Sequence, residues 1–275
     1  MINLLNSKNI TLSEVEKTKF LPLMGRAYGS ENHSELLKDP TAEKIFDLFK
    51  GELLEQEKLL DNYSKLLFFM RAFQFDRIIK NIAQSNEKVK LVNAGAGLDT
   101  INCRIKAKNI TFYDLDLPES AKLRQFLIPS SSNTFTISGS FLDSKWIEQL
   151  NLQKNDTLII MAAGLFMYLP AAEILSLLKQ LCTIHPNTHI LFDQTSYVGK
   201  LAIKKLLKKS GLTNVTLTSK MNLSDLRHTF PSHTIKKIPY WSHIRNDNAI
   251  CFSDRLKMTL CDLFEMAYLV HLRKM

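Results

Sequence analysis

Residues 91–100 read LVNAGAGLDT. An apolar run breaks into Gly95-Ala96-Gly97 and is followed by an acid, Asp99, and by Thr100. Two glycines one residue apart let the chain turn sharply after a buried strand and let backbone amides approach a ligand. A dinucleotide fingerprint would place a third glycine at position 100, where it serves close helix–sheet packing beside a pyrophosphate. With Thr100 there and a carboxylate at Asp99, a diphosphate is disfavoured, and a nucleoside with a cationic tail fits better.

Outward from this turn the chain alternates short β-rich runs with helical ones. The runs are KVKLVNAG (88–95), NITFYDLD (109–116), NTFTISGS (133–140), DTLIIMAA (156–163) and THILFDQT (188–195). PESAKLRQFL, SKWIEQLN and PAAEILSLLKQLCTI read as helices between them. Strands apolar on both faces and separated by helices imply right-handed βαβ units and an α/β fold with a doubly wound, mainly parallel sheet. Residues 11–84 carry apolar side chains at three- and four-residue spacing and read as helices. After residue 200 come a basic helix, a possible strand VTLTS, a helical MNLSDLRHTF, a loop, a helical DRLKMTLCDLFEM and a last strand AYLVHLRKM. The expected organisation is a helical cap over 1–86 and a nucleoside-binding domain over 87–275, with a basic lid insert at about 200–245.

The composition, 45% hydrophobic and 23% charged over 275 residues, suits one large α/β domain with a helical attachment. Cys103, Cys182, Cys251 and Cys261 form no CxxC pair and no metal spacing, so reduced thiols in a cytoplasmic protein are expected. MINLLNSKNITLSEVEK has no sustained apolar core of a signal peptide. Residues 158–178, LIIMAAGLFMYLPAAEILSLL, are interrupted by Pro170 and Glu173 and read as strand plus helix, so no membrane partner is expected. The net charge is +9, and between Lys200 and Lys237 nine Lys or Arg face only Asp225. Such a segment attracts anions or forms a solvated helix face. No aromatics alternate with the lysines and no NPPY-like strand end is present, which argues against nucleic acid.

In an open parallel sheet, ligands lie beyond the carboxyl ends of the strands. The second strand ends in Tyr113-Asp114-Leu115-Asp116, and Asp116 follows Gly97 by 19 residues. That spacing suits an acid on ribose hydroxyls and disfavours a 2′-phosphate. S-adenosylmethionine, with its sulfonium and ammonium groups, meets these conditions better than NAD.

GAGLDT, YDLDLPES, SFLDSKWIEQL, AAGLFMYLP and ILFDQTS, taken in order, resemble the leucine carboxyl methyltransferase family, in particular its bacterial polyketide O-methyltransferase-like branch. LPLMGRAYGSENHSELLKDPTAEKIF and LLFFMRAFQFD upstream and YLVHLR downstream extend the resemblance over nearly the whole chain. It implies a Rossmann-like class I methyltransferase fold, a helical N-terminal part over the methyl donor and a late lid. It implies donor contacts by Gly95 and Gly97, with Asp116 on the ribose and Arg71 near the donor's carboxylate. Arg26 is a second candidate for that pocket. The third strand of the family usually ends in an acid that meets the adenine; here the position is Ser140, with Phe141 beside it. The fourth usually carries a glutamate near the donor's ammonium; here it reads Ala162-Ala163-Gly164, and losing a charge-assisted contact costs about 1.5–3 kcal/mol. The family's DTR becomes Asp99-Thr100-Ile101, with Arg104 following.

The expected activity is therefore methyl transfer from S-adenosylmethionine to a carboxylate or hydroxyl of a small molecule, anionic ones included, or of an exposed carboxyl terminus. A non-catalytic donor-binding protein and a nicotinamide oxidoreductase remain as alternatives. Tyr168 and Asp193, at the ends of the fourth and fifth strands, read as a pocket wall and a hydrogen-bond anchor. No histidine falls where a catalytic base is expected, and no metal is expected. Lys204, Lys205, Lys208 and Lys209 are candidates for attracting an anionic acceptor.

Overall fold

The computed structural model describes residues 11–244 and 250–274, with the side chains of 52 and 54–57 left out. The first ten residues of the expected cap thus lie outside the described residues, as do the end of the expected lid and Met275. The helices are α1 (Glu14–Lys17), α2 (Phe20–Asn32), α3 (Pro40–Leu59), α4 (Asn62–Gln84), α5 (Ile101–Arg104) and α6 (Pro118–Leu127). They continue with α7 (Ala171–Ile184), α8 (Tyr197–Lys209), α9 (Leu223–Thr229) and α10 (Phe252–Leu263). The strands are β1 (Val89–Ala94), β2 (Ile110–Asp116), β3 (Thr134–Ser138), β4 (Thr157–Ala162), β5 (Thr188–Gln194), β6 (His233–Pro239) and β7 (Tyr268–Lys274).

All seven strands form one sheet in the order β3-β2-β1-β4-β5-β7-β6. β1 to β5 are parallel neighbours, with Leu91 opposite both Phe112 and Ile159. β7 runs antiparallel to both β5 and β6, pairing Phe192 with Val270 and Ile235 with Leu272. The five strands read from the sequence and the terminal one are all present. The expected strand VTLTS is not, and SKWIEQL forms a 3₁₀ turn (Ser144–Leu150) rather than an α-helix. β6 occupies what was read as a loop inside the lid. Its residues are mostly solvent-exposed, and Lys236 and Lys237 interrupt its apolar alternation, as befits an edge strand.

The period-two side-chain rule divides the sheet's contacts between two cores. Leu91, Phe112, Ile159, Leu191 and Leu269 pack against Phe75 and Ile79 of α4, Met258 of α10 and the buried Tyr240 and Trp241. Val92, Ile160, Phe192 and Val270 pack on the other face against Leu177, Leu178 and Leu181 of α7. α4 thus packs on one face of the sheet, and Ile238, Tyr240, Trp241 and Ile244 contribute to the same core. A third cluster joins Leu21, Leu23 and Phe49 of α2 and α3 to Leu98, Leu123 of α6 and Leu207 of α8. It roofs the carboxyl ends of the strands, where the site lies.

Candidate functional site

β1 delivers its chain to the turn through buried apolar residues, and the turn is built by glycine. Gly95 (φ +65°) and Gly97 (φ +50°) adopt left-handed conformations that a side chain disfavours. The amides of Gly95 and Ala96 both donate to the Leu115 carbonyl at 2.8 and 3.1 Å, tying the turn to the end of β2. Asp116 closes the arrangement. Its Oδ2 accepts the Gly97 amide at 2.6 Å and its Oδ1 accepts the Leu117 amide at 2.8 Å. Each carboxylate oxygen has two acceptor positions, so the group retains capacity for a diol.

Three arginines hold the same turn from behind. Arg26 of α2 donates to the Leu98 carbonyl at 2.5 Å and to Asp39 at 3.0 Å. Arg124 of α6 donates to the carbonyls of Gly97, at 3.3 Å, and of Asp99, and pairs with Asp114 at 2.6 Å. Asn93 completes this pair by donating to Asp114 at 3.2 Å. Arg104 of α5 takes both oxygens of Asp76 at 2.8 Å, Asp99 at 2.8 Å and Asp39 at 3.3 Å. Burial alone would raise the Asp99 carboxyl, but Arg104 and Arg26 hold it well below the usual carboxylate range. Asp99 lines the cavity, yet its charge is compensated by these arginines rather than kept for a cationic ligand. Arg26, expected at the donor's carboxylate, also lines the cavity but commits its guanidinium to Asp39 and Leu98 as a brace of the turn.

A cavity of about 630 Å³ opens over the ends of β1, β2, β4 and β5, a size suited to a small organic ligand. Arg71, Gly95, Gly97, Asp116, Ser140, Phe141 and Arg26 all line it. On the β2–β3 side, Ser140 Oγ accepts the Leu142 amide at 3.2 Å, and space beside Gly139 is open. Phe141 is fixed by Trp146, stacked at 5.8 Å, and by Phe166 at 5.4 Å. At the other end, Arg71 of α4 donates to Asp193 at 3.0 Å and lies over the Phe68 ring. The second oxygen of Asp193 accepts the Gly164 amide at 2.7 Å. The turn that lacks its own carboxylate at Ala163 therefore receives one from the neighbouring strand. Gly164 (φ +77°) is also needed for space, because a Cβ would stand 2.9 Å from Arg71 Nη1.

One cavity residue escaped the sequence reading. Lys19, between α1 and α2, reaches across to Ser120, which also donates to Glu16 at 2.7 Å. Burial depresses the Lys19 ammonium, and Asp116 and Glu16 offset part of the effect. The local signal was only the capping box of Ser13 and Glu16, which marks a helix start and not a site. Beyond Arg71 and Asp193 the wall is largely apolar, formed by Leu67, Phe68, Met167, Ile203, Leu206 and Leu207. Tyr168 and Tyr240 also line it, and burial raises both phenols above their ordinary range. No histidine is among the described lining residues. Lys204, Lys205, Lys208 and Lys209, expected to attract an acceptor, are exposed and line none of it.

A seven-stranded sheet with a reversed β7 and a glycine turn at the end of β1 defines the class I methyltransferase fold. Two solved structures agree over most of their length: a putative methyltransferase from Thermobifida fusca (12% identity, 91% of this chain and 94% of that one, TM-score 0.53) and a DUF574 family protein from Streptomyces avermitilis (12%, 91% and 97%, TM-score 0.55). The leucine carboxyl methyltransferase family model matches residues 20–182, and the chain belongs to that family of S-adenosylmethionine-dependent methyltransferases. The tetracenomycin polyketide synthesis O-methyltransferase TcmP of Streptomyces glaucescens is 22% identical over 187 residues, 68% of each chain. An S-adenosyl-L-methionine-dependent methyltransferase, dpfgK, of Gibberella zeae is 21% identical over 222 residues, 74% of each chain.

Proposed function

We propose that the protein methylates an oxygen of a small, largely apolar molecule, and that this oxygen arrives already ionised, as a carboxylate or an acidic hydroxyl. The observation that carries this reading is that, among the described lining residues, each charged group is already held by a partner rather than free to take a proton from an acceptor. No histidine is among the described lining residues, both lining tyrosines are driven toward the neutral form, and the charged groups there are engaged: Asp193 by Arg71 and Gly164, Asp116 by the Gly97 and Leu117 amides, Asp99 by Arg104, and Lys19 and Glu16 by Ser120. A hydroxyl of ordinary acidity would need a base; a carboxylate needs none.

The residues present fit the donor. The left-handed glycines leave room for close approach, Asp116 keeps acceptor capacity for the ribose, and Ser140 and Phe141 border the open space beside Gly139 for the adenine. Arg71 would meet the donor's carboxylate, and Asp193 would take the part of the glutamate missing at Ala163. S-adenosylmethionine supplies an activated methyl group, so the protein's part is positioning, which contributes roughly 7–11 kcal/mol in well-oriented reactions. The apolar faces of α4 and α8 exclude water and orient the acceptor.

The test is transfer of labelled methyl from S-adenosylmethionine to a panel of apolar carboxylic acids and phenols. Expected is turnover whose pH dependence follows the pKa of each acceptor. Transfer only to unactivated alcohols, or a rate limb independent of the acceptor, would overturn the reading. Calorimetric binding of S-adenosylhomocysteine but not of NAD separates the donor assignment from the nicotinamide alternative.

A further inference from the structure

α8 has two unlike faces. Inward, Ile203, Leu206 and Leu207 wall the cavity. Outward, its first turns expose Tyr197 (76%), Val198 and Leu201, and its later turns expose Lys204, Lys205, Lys208 and Lys209. No carboxylate lies on the helix. Gly199 abuts the Met266 carbonyl so closely that a Cβ would stand 1.9 Å from it. This contact packs the first turn of α8 against the segment between α10 and β7. A soluble surface ordinarily scatters such side chains singly; here Tyr197, Val198 and Leu201 share one helix with a row of exposed lysines.

We propose that α8 is an interfacial helix that seats the enzyme on an anionic phospholipid bilayer. Apolar and aromatic side chains beside a lysine-rich face are the chemistry of helices that lie in the headgroup region. Tyr197, Val198 and Leu201 enter the headgroup–acyl boundary, and the four lysines pair with anionic headgroups. A second copy of the chain is a poorer occupant, because packing α8 on α8 would set the lysines against the other copy's lysines or against its apolar turns, with no carboxylate on either helix to pair them. No helix among the described residues is long and apolar enough to cross a membrane, so the attachment is peripheral. Because the inner face of α8 lines the cavity, docking places the acceptor's entry at the bilayer, which suits the apolar acceptor proposed above. The docking itself does not depend on that reading.

The test is co-sedimentation of the full chain with vesicles, without donor or acceptor. One set is phosphatidylcholine; the other is equal parts phosphatidylcholine and phosphatidylglycerol. Expected is binding to the anionic set alone, weakened as salt rises. Combining Lys204→Glu, Lys205→Glu, Lys208→Glu and Lys209→Glu should weaken it by about a hundredfold or more, each lost lysine contributing about fivefold. Tyr197→Ser with Leu201→Ser, at exposed positions, should weaken it while circular dichroism stays unchanged. Should the lysine variant fail to fold, the serine variant and the salt series decide. Equal binding to both sets, or to neither, overturns the proposal. So does anionic binding that the serine variant leaves intact and that polyglutamate matches, because the face would then serve an acidic protein.

Discussion

Asp116 holds the glycine turn and is placed to read the ligand with the same two oxygens. Each accepts one backbone amide, from Gly97 and Leu117, and offers its other lone pair outward. Asp116→Asn replaces one acceptor by a donor, so the amide it faces loses its partner and the ribose contact weakens. A hydrogen bond to a charged group contributes about 1.5–3 kcal/mol. Binding of S-adenosylhomocysteine, read by calorimetry, should accordingly fall by about ten- to a hundredfold. At Ser140 the opposite change is informative. Its neutral hydroxyl is a weaker acceptor than the acid usual at this strand end, so Ser140→Asp should tighten S-adenosylhomocysteine by about fivefold. An unchanged affinity would show that the adenine amino group lies elsewhere.

At the scale of elements, the turn is held by charge pairs drawn from six segments: Arg26 of α2, Asp39 before α3, Asp76 of α4, Arg104 of α5, Arg124 of α6 and Asp114 of β2. Arg104 is the hub, its side chain 2% exposed, with Asp39, Asp76 and Asp99 around it. Replacing it by alanine strands Asp76 in a dry interior and leaves Asp39 and Asp99 to Arg26, and breaking even one buried pair in this way costs about 3–5 kcal/mol. Arg104→Ala should therefore lower the guanidinium unfolding midpoint sharply, and any folded fraction should bind S-adenosylhomocysteine weakly because the turn has lost its brace. This lattice was illegible in the sequence for a definite reason. Arg104 meets Asp76 and Asp39 across 28 and 65 residues, and even the shorter separations, 5 to Asp99, 10 for Arg124–Asp114 and 13 for Arg26–Asp39, match no helical spacing of three or four. The glycine turn and Asp116 were legible because a tight turn and a strand-end acid are set by neighbours in the chain. Asp193 was placed by its strand, but its service to the β4 turn depended on which strands pair. β6 was missed because an exposed edge strand is not required to alternate apolar and polar residues.

For the whole molecule, the junction between the parallel and antiparallel parts of the sheet carries a titratable pair. His189 of β5 and His271 of β7 stack at 5.2 Å and share a hydrogen bond of 2.9 Å. Burial first, then the positive charge of Arg273, depresses His189 to about 4; His271 falls to about 4 by burial, by His189 and by Arg273 and Lys236. Both are neutral in the folded state. In the unfolded chain each takes a proton near its ordinary 6.5, so the unfolded state binds more protons between that pH and about 4. Stability is then fully present above pH 6.5 and falls as the pH drops through that window, by up to about 1.4 kcal/mol per unit per histidine. Because the two rings interact, the loss belongs to the pair. Thermal midpoints of the wild type should decline over this range, and a His189→Gln, His271→Gln variant should show a flatter profile.

β7 lies between β5 and β6, although it follows both in the chain. Its residues Leu269, Val270 and Leu272 are fully buried, and their backbone supplies the ladder that each neighbour needs. During synthesis, β1 to β5 can therefore assemble as a parallel half-sheet while the β5 edge waits through the whole of residues 195–267. That edge presents Ile190, Leu191 and Phe192 with unpaired amides and carbonyls, the arrangement that recruits foreign strands. A ribosome that pauses before residue 268 thus holds a nascent chain with a sticky flank, and holdase chaperones have a defined interval in which to act. Translation speed over residues 195–268 becomes a determinant of yield.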